Sequence, residues 1–206
     1  MSDDIFDFLD DENAQEKNPY ADMDLTALEN TVQSCQKCAL GQSRNNPVFG
    51  EGSPIADLMF IGEGPGYHED QQGRPFVGRA GDLLTKMINA MQFTRKDVYI
   101  GNILKCRPPK NRNPNPDEAE ACLPYLYRQI ELIDPEVIIL LGSVPLKYLH
   151  NKTGITRLRG KWLELQGRKV MPTFHPAYLL RNPAAKRDAW NDLQMVMKVF
   201  GRKPGK

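Results

Sequence analysis

The chain has 206 residues, enough for one α/β domain with extensions and a substantial core. It has no apolar run of the roughly 18 residues that a membrane-spanning helix needs and no opening signal-peptide pattern, so a cytoplasmic protein is expected. The net charge of +1 conceals an asymmetry, because residues 1–30 carry −9, with Lys17 their one basic side chain, and the remainder carries +10. A basic body behind an acidic tail fits a polyanionic partner such as nucleic acid, against the plainer reading of a solvated charged surface.

Residues 1–23 are too acidic to pack on themselves and read as a disordered tail. Within them Ile5, Phe6, Phe8 and Leu9 form an apolar knot suited to docking a protein partner. The folded domain is expected over 24–200, opening on a helix in DLTALENTVQSC capped by Asp24. Four apolar runs, ADLMFIG, DVYIGN, PEVIILLG and KVMPTF, read as buried parallel strands. Between and after them lie helical patterns in AGDLLTKMINAM, in the segment that starts at Asn115-Pro116, in SVPLKYLHN and in AAKRDAWNDLQMVMKVF. WLELQGRKVMPTF adds a hairpin around Gln166-Gly167. The expectation is a three-layer αβα sandwich with a central four-stranded, mainly parallel sheet, followed by a basic tail over 201–206. The strand ends GEGPG, GNILKC, GSVP and FHPAY carry the polar and glycine-rich chemistry, and ligands of open α/β sheets collect at such ends.

The glycine-rich loop GEGPGYHEDQQGRPFVG does not suit a nucleotide phosphate. The third glycine of a dinucleotide fingerprint is misplaced, the P-loop lysine is missing, and Glu69 and Asp70 stand where positive charge would be needed. Glu63, at the end of a strand in a loop lacking side-chain bulk, instead leaves room for a flat ligand to approach the backbone.

Cys35 and Cys38 form C-x-x-C, and Cys106 and Cys122 flank RPPKNRNPNPDEAEA. Four cysteines with none spare favour one tetrathiolate site over disulfides. From spacing alone, zinc and an iron–sulfur cluster both fit.

GEGPG, GRPFVGRAGDLL, NILKCRPPKNRNP, LGSVP and HPAYLLRNP, in this order and with these cysteines, resemble the family 4 uracil-DNA glycosylases, the iron–sulfur branch of their superfamily. The resemblance runs from about Cys35 to Leu193. It implies a monofunctional DNA repair enzyme that flips uracil out of DNA and hydrolyses its N-glycosidic bond, leaving an abasic site. The four-cysteine site becomes a 4Fe–4S cluster of structural role, with zinc as the alternative. The substrate is uracil-containing DNA, single- or double-stranded, met by a monomer in the cytoplasm at the nucleoid.

The site residues follow from the same resemblance. Phe76 resembles the platform on which the flipped base stacks, lined by Gly62 and Gly64. Asn102 resembles the reader of the uracil edge, its carboxamide donating to O4 and accepting from N3–H, which cytosine reverses. His175 resembles the donor that stabilises negative charge on the leaving base. The best-known branch of the superfamily has an Asp at the position of Gly64 and a Tyr at that of Gly66. Water activation therefore falls to Glu63, and crowding of the thymine methyl to Glu69. Leu179 is expected to fill the vacated stack, with Leu180 behind it, and Ser143, Arg181, Arg107, Lys110 and Arg112 to contact phosphates. The rival readings are a non-catalytic DNA-binding module and a relative that traps uracil-DNA covalently. The trapping branch carries a histidine in the loop after the second strand, where this chain has KNRNPNP.

Overall fold

Why the polar strand ends meet follows from the order of the strands. In the computed structural model, which describes residues 18–203, four runs pair in parallel: β2 (Leu58–Gly62), β3 (Tyr99–Asn102), β4 (Val137–Leu141) and β6 (Arg168–Thr173). The sheet has six strands, not four, because short strands close both edges. β1 (Glu51–Gly52) pairs antiparallel with β3, and β5 (Leu163–Leu165) antiparallel with β6. The full order is β1-β3-β2-β4-β6-β5. The β5–β6 hairpin turns at Gln166 (φ 50°) and Gly167 (φ 78°), two consecutive left-handed residues whose twist matches that of the strands. β1 has no counterpart in the sequence reading, since two residues display no periodicity.

Successive residues of β2 and β4 are all buried and serve opposite faces of the sheet. Met59, Ile61, Ile138 and Leu140 share a core with Leu126 and Ile130 of α5 (Pro116–Ile133) and Leu146 and Leu149 of α6 (Ser143–His150). Phe60, Ile139 and Leu141 share the other core with Leu84 and Ile88 of α4 (Gly78–Ala90) and Leu193 and Val196 of α9 (Lys186–Val199). The sheet is thus mixed, mainly parallel and covered by helices on both faces. Among the described residues, no helix is long and apolar enough to cross a membrane.

Helix α1 (Leu25–Gln33) starts where expected, with the Asp24 carboxylate accepting from Ala27 N at 2.8 Å. Helix α5 opens on a capping box between Asn115 and Glu118 with Pro116 in its first turn. Residues 18–23, the end of the segment read as an acidic tail, pack on the body: Tyr20 is buried and stacks on Tyr125 at 4.3 Å. Arg128 Nε also donates to Met23 O at 2.9 Å. Residues 1–17, with the apolar knot, and the last three residues of the basic tail lie outside the described residues. The tail's Arg202 places its guanidinium 3.5 Å from the centre of the Phe93 ring.

Candidate active site

The carboxyl ends of the four parallel strands open into a cleft of about 740 Å³. Glu63, Gly64, Glu69, Phe76, Asn102, Arg112, Ser143, His175 and Arg181, all singled out from sequence, line it. Gly62 lies beneath the floor, where a Cβ would stand 2.5 Å from both Asn102 Oδ1 and Phe76 Cζ, so only glycine lets those two side chains share this space.

Asn102 ends β3 in register with Gly62. Its side chain is 2 % exposed and its Oδ1 has no hydrogen-bond partner among the described residues. An acceptor removed from water and left unpaired costs ~1–3 kcal/mol, so it calls for a ligand that supplies the donor. Phe76 is 7 % exposed and has φ 50°, a left-handed conformation that costs a bulky residue ~1–3 kcal/mol. Its ring lies 5.6 Å from that of His175.

His175 follows β6 as the N-cap of the short helix α8 (Pro176–Arg181). Ala177 N–H donates to its Nδ1 at 3.1 Å. The neutral ring therefore carries its proton on Nε2, free to donate. Burial, with a smaller contribution from Arg181, lowers its pKa to about 4, so the ring is neutral at physiological pH. Gly142 makes room behind it: at φ 97°, a Cβ there would stand 3.1 Å from His175 Cβ. The Glu63 carboxyl is half-buried, and desolvation raises its pKa. Glu69 Oε2 lies 2.8 Å from where a Cβ at Gly66 would be, and so fills the space of a side chain there.

Two expectations change. Leu179 is 1 % exposed and belongs to the core shared with α9, so it cannot enter a DNA stack without unpacking that core. Leu180 is half-buried, and the exposed apolar side chain on α8 is Tyr178, 38 % exposed at the cleft wall with its ring 4.8 Å from Phe174. Arg107 and Lys110 lie outside the cleft lining. The Arg107 guanidinium covers the exposed Tyr67 ring at 5.1 Å, and Lys110 is exposed on a 3₁₀ turn (Pro109–Asn111). Arg112 is paired with the buried Glu118 at 2.6 Å, which offsets its charge. Sequence reasoning missed Tyr67, His68, Arg79 and Tyr178, all on the cleft. Tyr67 and Arg79 sit in motifs already quoted, GEGPGYHED and GRPFVGRAG, and their exposure is what sets them apart.

The four cysteines line one small cavity together with Arg44, Lys105 and Tyr125. Cys106 and Cys122 are buried, Cys35 and Cys38 half-buried. Arg44 Nη1 donates to Cys106 Sγ at 3.0 Å, and the buried Lys105 ammonium donates to Asn102 O at 3.0 Å and Gln129 Oε1 at 2.6 Å. Burial pushes the Cys106 thiol up and the Cys122 thiol to about 12. Four sulfurs in a cavity also lined by Lys37, Arg44 and Lys105 fit a thiolate-ligated group that carries net negative charge. As the side chains stand, no three His, Cys, Asp or Glu among the described residues are drawn together as ligands of one metal ion, so the fit rests on the shared cavity and its flanking cations.

Residues 49–194 match the Uracil DNA glycosylase superfamily. The chain is 47 % identical over 179 residues to a type-4 uracil-DNA glycosylase of Thermotoga maritima, covering 84 % of this chain and 93 % of the relative. It is 42 % identical over 181 residues to the type-4 enzyme of Archaeoglobus fulgidus, covering 84 % and 91 %. To a type-5 uracil-DNA glycosylase of Thermus thermophilus it is 28 % identical over 167 residues, covering 66 % and 76 %.

Proposed function

The chain belongs to the uracil DNA glycosylase superfamily, where it has uracil-DNA glycosylase activity in DNA repair, and we propose how its cleft performs that hydrolysis. Uracil, flipped out of single- or double-stranded DNA, stacks on Phe76 and presents its Watson–Crick edge to Asn102. The observation that carries this reading is the buried, unpartnered Asn102 Oδ1 against the Phe76 ring: uracil N3–H is the missing donor. The C1′–N1 bond then breaks with its electron pair passing to the base, where charge gathers at O2. The neutral His175 Nε2–H hydrogen-bonds to O2 and keeps its proton, so the base leaves as the anion. Water adds to the sugar cation at C1′ and its proton passes to Glu63, leaving an abasic site.

Glu69, over Gly66, supports exclusion of the thymine methyl. Tyr178 takes the stack-filling role first expected of Leu179, with Leu180 beside it. Ser143, Arg181 and Arg79 on the cleft meet phosphates beside the flipped base, and Arg107 and Lys110, outside the cleft on the loop after β3, meet phosphates farther along the strand, while Arg112 is held by Glu118. Cys35, Cys38, Cys106 and Cys122 would hold a 4Fe–4S cluster that ties the α1 segment to that loop and supplies rigidity instead of chemistry. The similarity to type-4 enzymes favours this over zinc, which the same four thiolates would also hold.

The founding experiment incubates the protein with a uracil-containing oligonucleotide and cleaves abasic sites with alkali. Strand breaks at uracil support the reading. A stable protein–DNA adduct that forms with release of one uracil per protein and leaves no free abasic strand favours covalent trapping, and binding without release favours the non-catalytic module. Two narrower results are expected. Tyr178→Ala should lower single-turnover excision from duplex about tenfold and from single strands far less, since only a duplex has a void to fill; equal losses would remove Tyr178 from that role. The pH profile should be flat between about pH 6.5 and 9, because His175 is already neutral there. Its acid limb should lie above the ordinary carboxylate range, since the raised pKa of Glu63 means protonation begins early as pH falls. Glu63→Gln should be slow and lack that limb. An unaltered limb in that variant assigns it to another group.

A further inference from the structure

The left-handed Phe76 is held by residues that do not line the cleft. Arg95, in the segment between α4 and β3, donates through Nη2 to Pro75 O at 2.8 Å and through Nη1 to Phe76 O at 3.2 Å. In an extended chain successive carbonyls point in opposite directions. Here both face one guanidinium, which the positive φ of Phe76 makes possible.

The guanidinium is itself seated. Glu51 Oε1 accepts from Arg95 Nε at 3.3 Å and Nη2 at 3.2 Å, and Nη1 reaches Thr85 Oγ1 of α4 at 3.4 Å. Glu51 also pairs with Arg74, through Nε at 2.7 Å and Nη2 at 3.1 Å. The Arg95 and Glu51 side chains are 18 % and 25 % exposed, which keeps water from competing freely for these donors. From the other side α4 closes on the same carbonyl: a Cβ at Gly81 would stand 1.8 Å from Phe76 O. The carbonyl is therefore trapped between a helix backbone and a two-pronged donor.

We infer that Arg95, seated by Glu51 of the edge strand β1, is a positioning residue that holds Phe76 in its left-handed conformation and so sets the shape of the base pocket. This rests on the reading of Phe76 as the stacking platform. Arg95 touches neither base nor DNA; it acts through the backbone of the residue that does. A guanidinium is required because one group must serve two carbonyls and a carboxylate at once, which an ammonium on a flexible stem does poorly.

A double-mutant cycle separates positioning from general stability. Single-turnover excision and inhibition by free uracil are measured for the parent, Arg95→Met, Phe76→Gly and the double variant, with thermal melting as a record of folding. Glycine accepts φ 50° without help and has no ring to position. The expected result is about a tenfold loss of rate and about a tenfold weaker inhibition by uracil in Arg95→Met, shrinking to under about twofold when Phe76 is already Gly. Equal losses in both backgrounds, or a parental rate in Arg95→Met, would overturn the inference. A parental rate in Phe76→Gly alone would overturn the platform reading and the clamp with it, whereas a slow Phe76→Gly with equal Arg95 losses removes only the clamp. If Arg95→Met does not fold, the cycle is run with Glu51→Gln, which keeps every Arg95 donor, and is judged by the same criterion.

Discussion

Asn102→Asp is expected to lower uracil excision about 10³-fold at about pH 8, because a buried reader that faces O4 with a carboxylate oxygen repels the base it should hold. The fold survives this change. Asn102 stands at a strand's end, and its Oδ1 has no partner among the described residues, so no hydrogen bond of that oxygen to them is lost. Burial raises the pKa of a carboxyl placed there, and in its neutral form it both donates and accepts, as the carboxamide does. Normalised to the parent at each pH, uracil activity should therefore recover as pH falls. Over the same range, cytosine should become a weak substrate, since a neutral carboxyl can accept from its N4 amine and donate to N3. The check is single-turnover excision of uracil and cytosine from matched oligonucleotides across pH. Parental uracil turnover at about pH 8 would take Asn102 out of the reader role.

The parts of this site legible in the sequence are those in which chemistry and strand coincide. Glu63, Asn102 and His175 each follow or end an apolar run, and a run of buried strand residues is visible without any knowledge of pairing. What was not legible depends on partners remote in sequence. Glu51–Gly52 becomes a strand only because β3 offers its edge, and Gly52 is needed there because a Cβ would stand 1.9 Å from Val98 O. PAYLLR presents three large residues in a row, Tyr178, Leu179 and Leu180, and only the packing of α8 against α4 turns Leu179 inward and Tyr178 out. Arg95 reads as one more surface cation in TRKD, because its partners in the loop are main-chain carbonyls, which carry no residue signature.

Cys122→Ala carries the largest expected effect on stability, and its size tells whether the four thiols hold a group or merely pack. Cys122 lies on α5, Cys106 follows β3, and Cys35 and Cys38 follow α1, so a shared group links three segments remote in sequence. If Cys122 were only a small buried side chain, removing its sulfur would cost ~1 kcal/mol, and the melting temperature of a domain of this size would fall by about 2–4 °C. If it ligates a cluster, the binding free energy of that group is part of the folding free energy, on the order of 10 kcal/mol for a structural tetrathiolate centre. Loss of one ligand should then lower melting by more than about 10 °C or leave the protein insoluble, with the brown absorption near about 400 nm gone. The parent, purified in parallel, should be coloured and contain iron. A fall of only a few degrees with the colour intact would deny Cys122 a ligand role. A colourless parent with stoichiometric zinc would replace the cluster by a zinc centre and leave the four-cysteine site standing. Soluble Cys122→Ala protein should lose DNA affinity more than intrinsic excision rate, because the cysteines stiffen the loop bearing Arg107, Lys110 and Arg112, while Asn102 and His175 are set by the sheet.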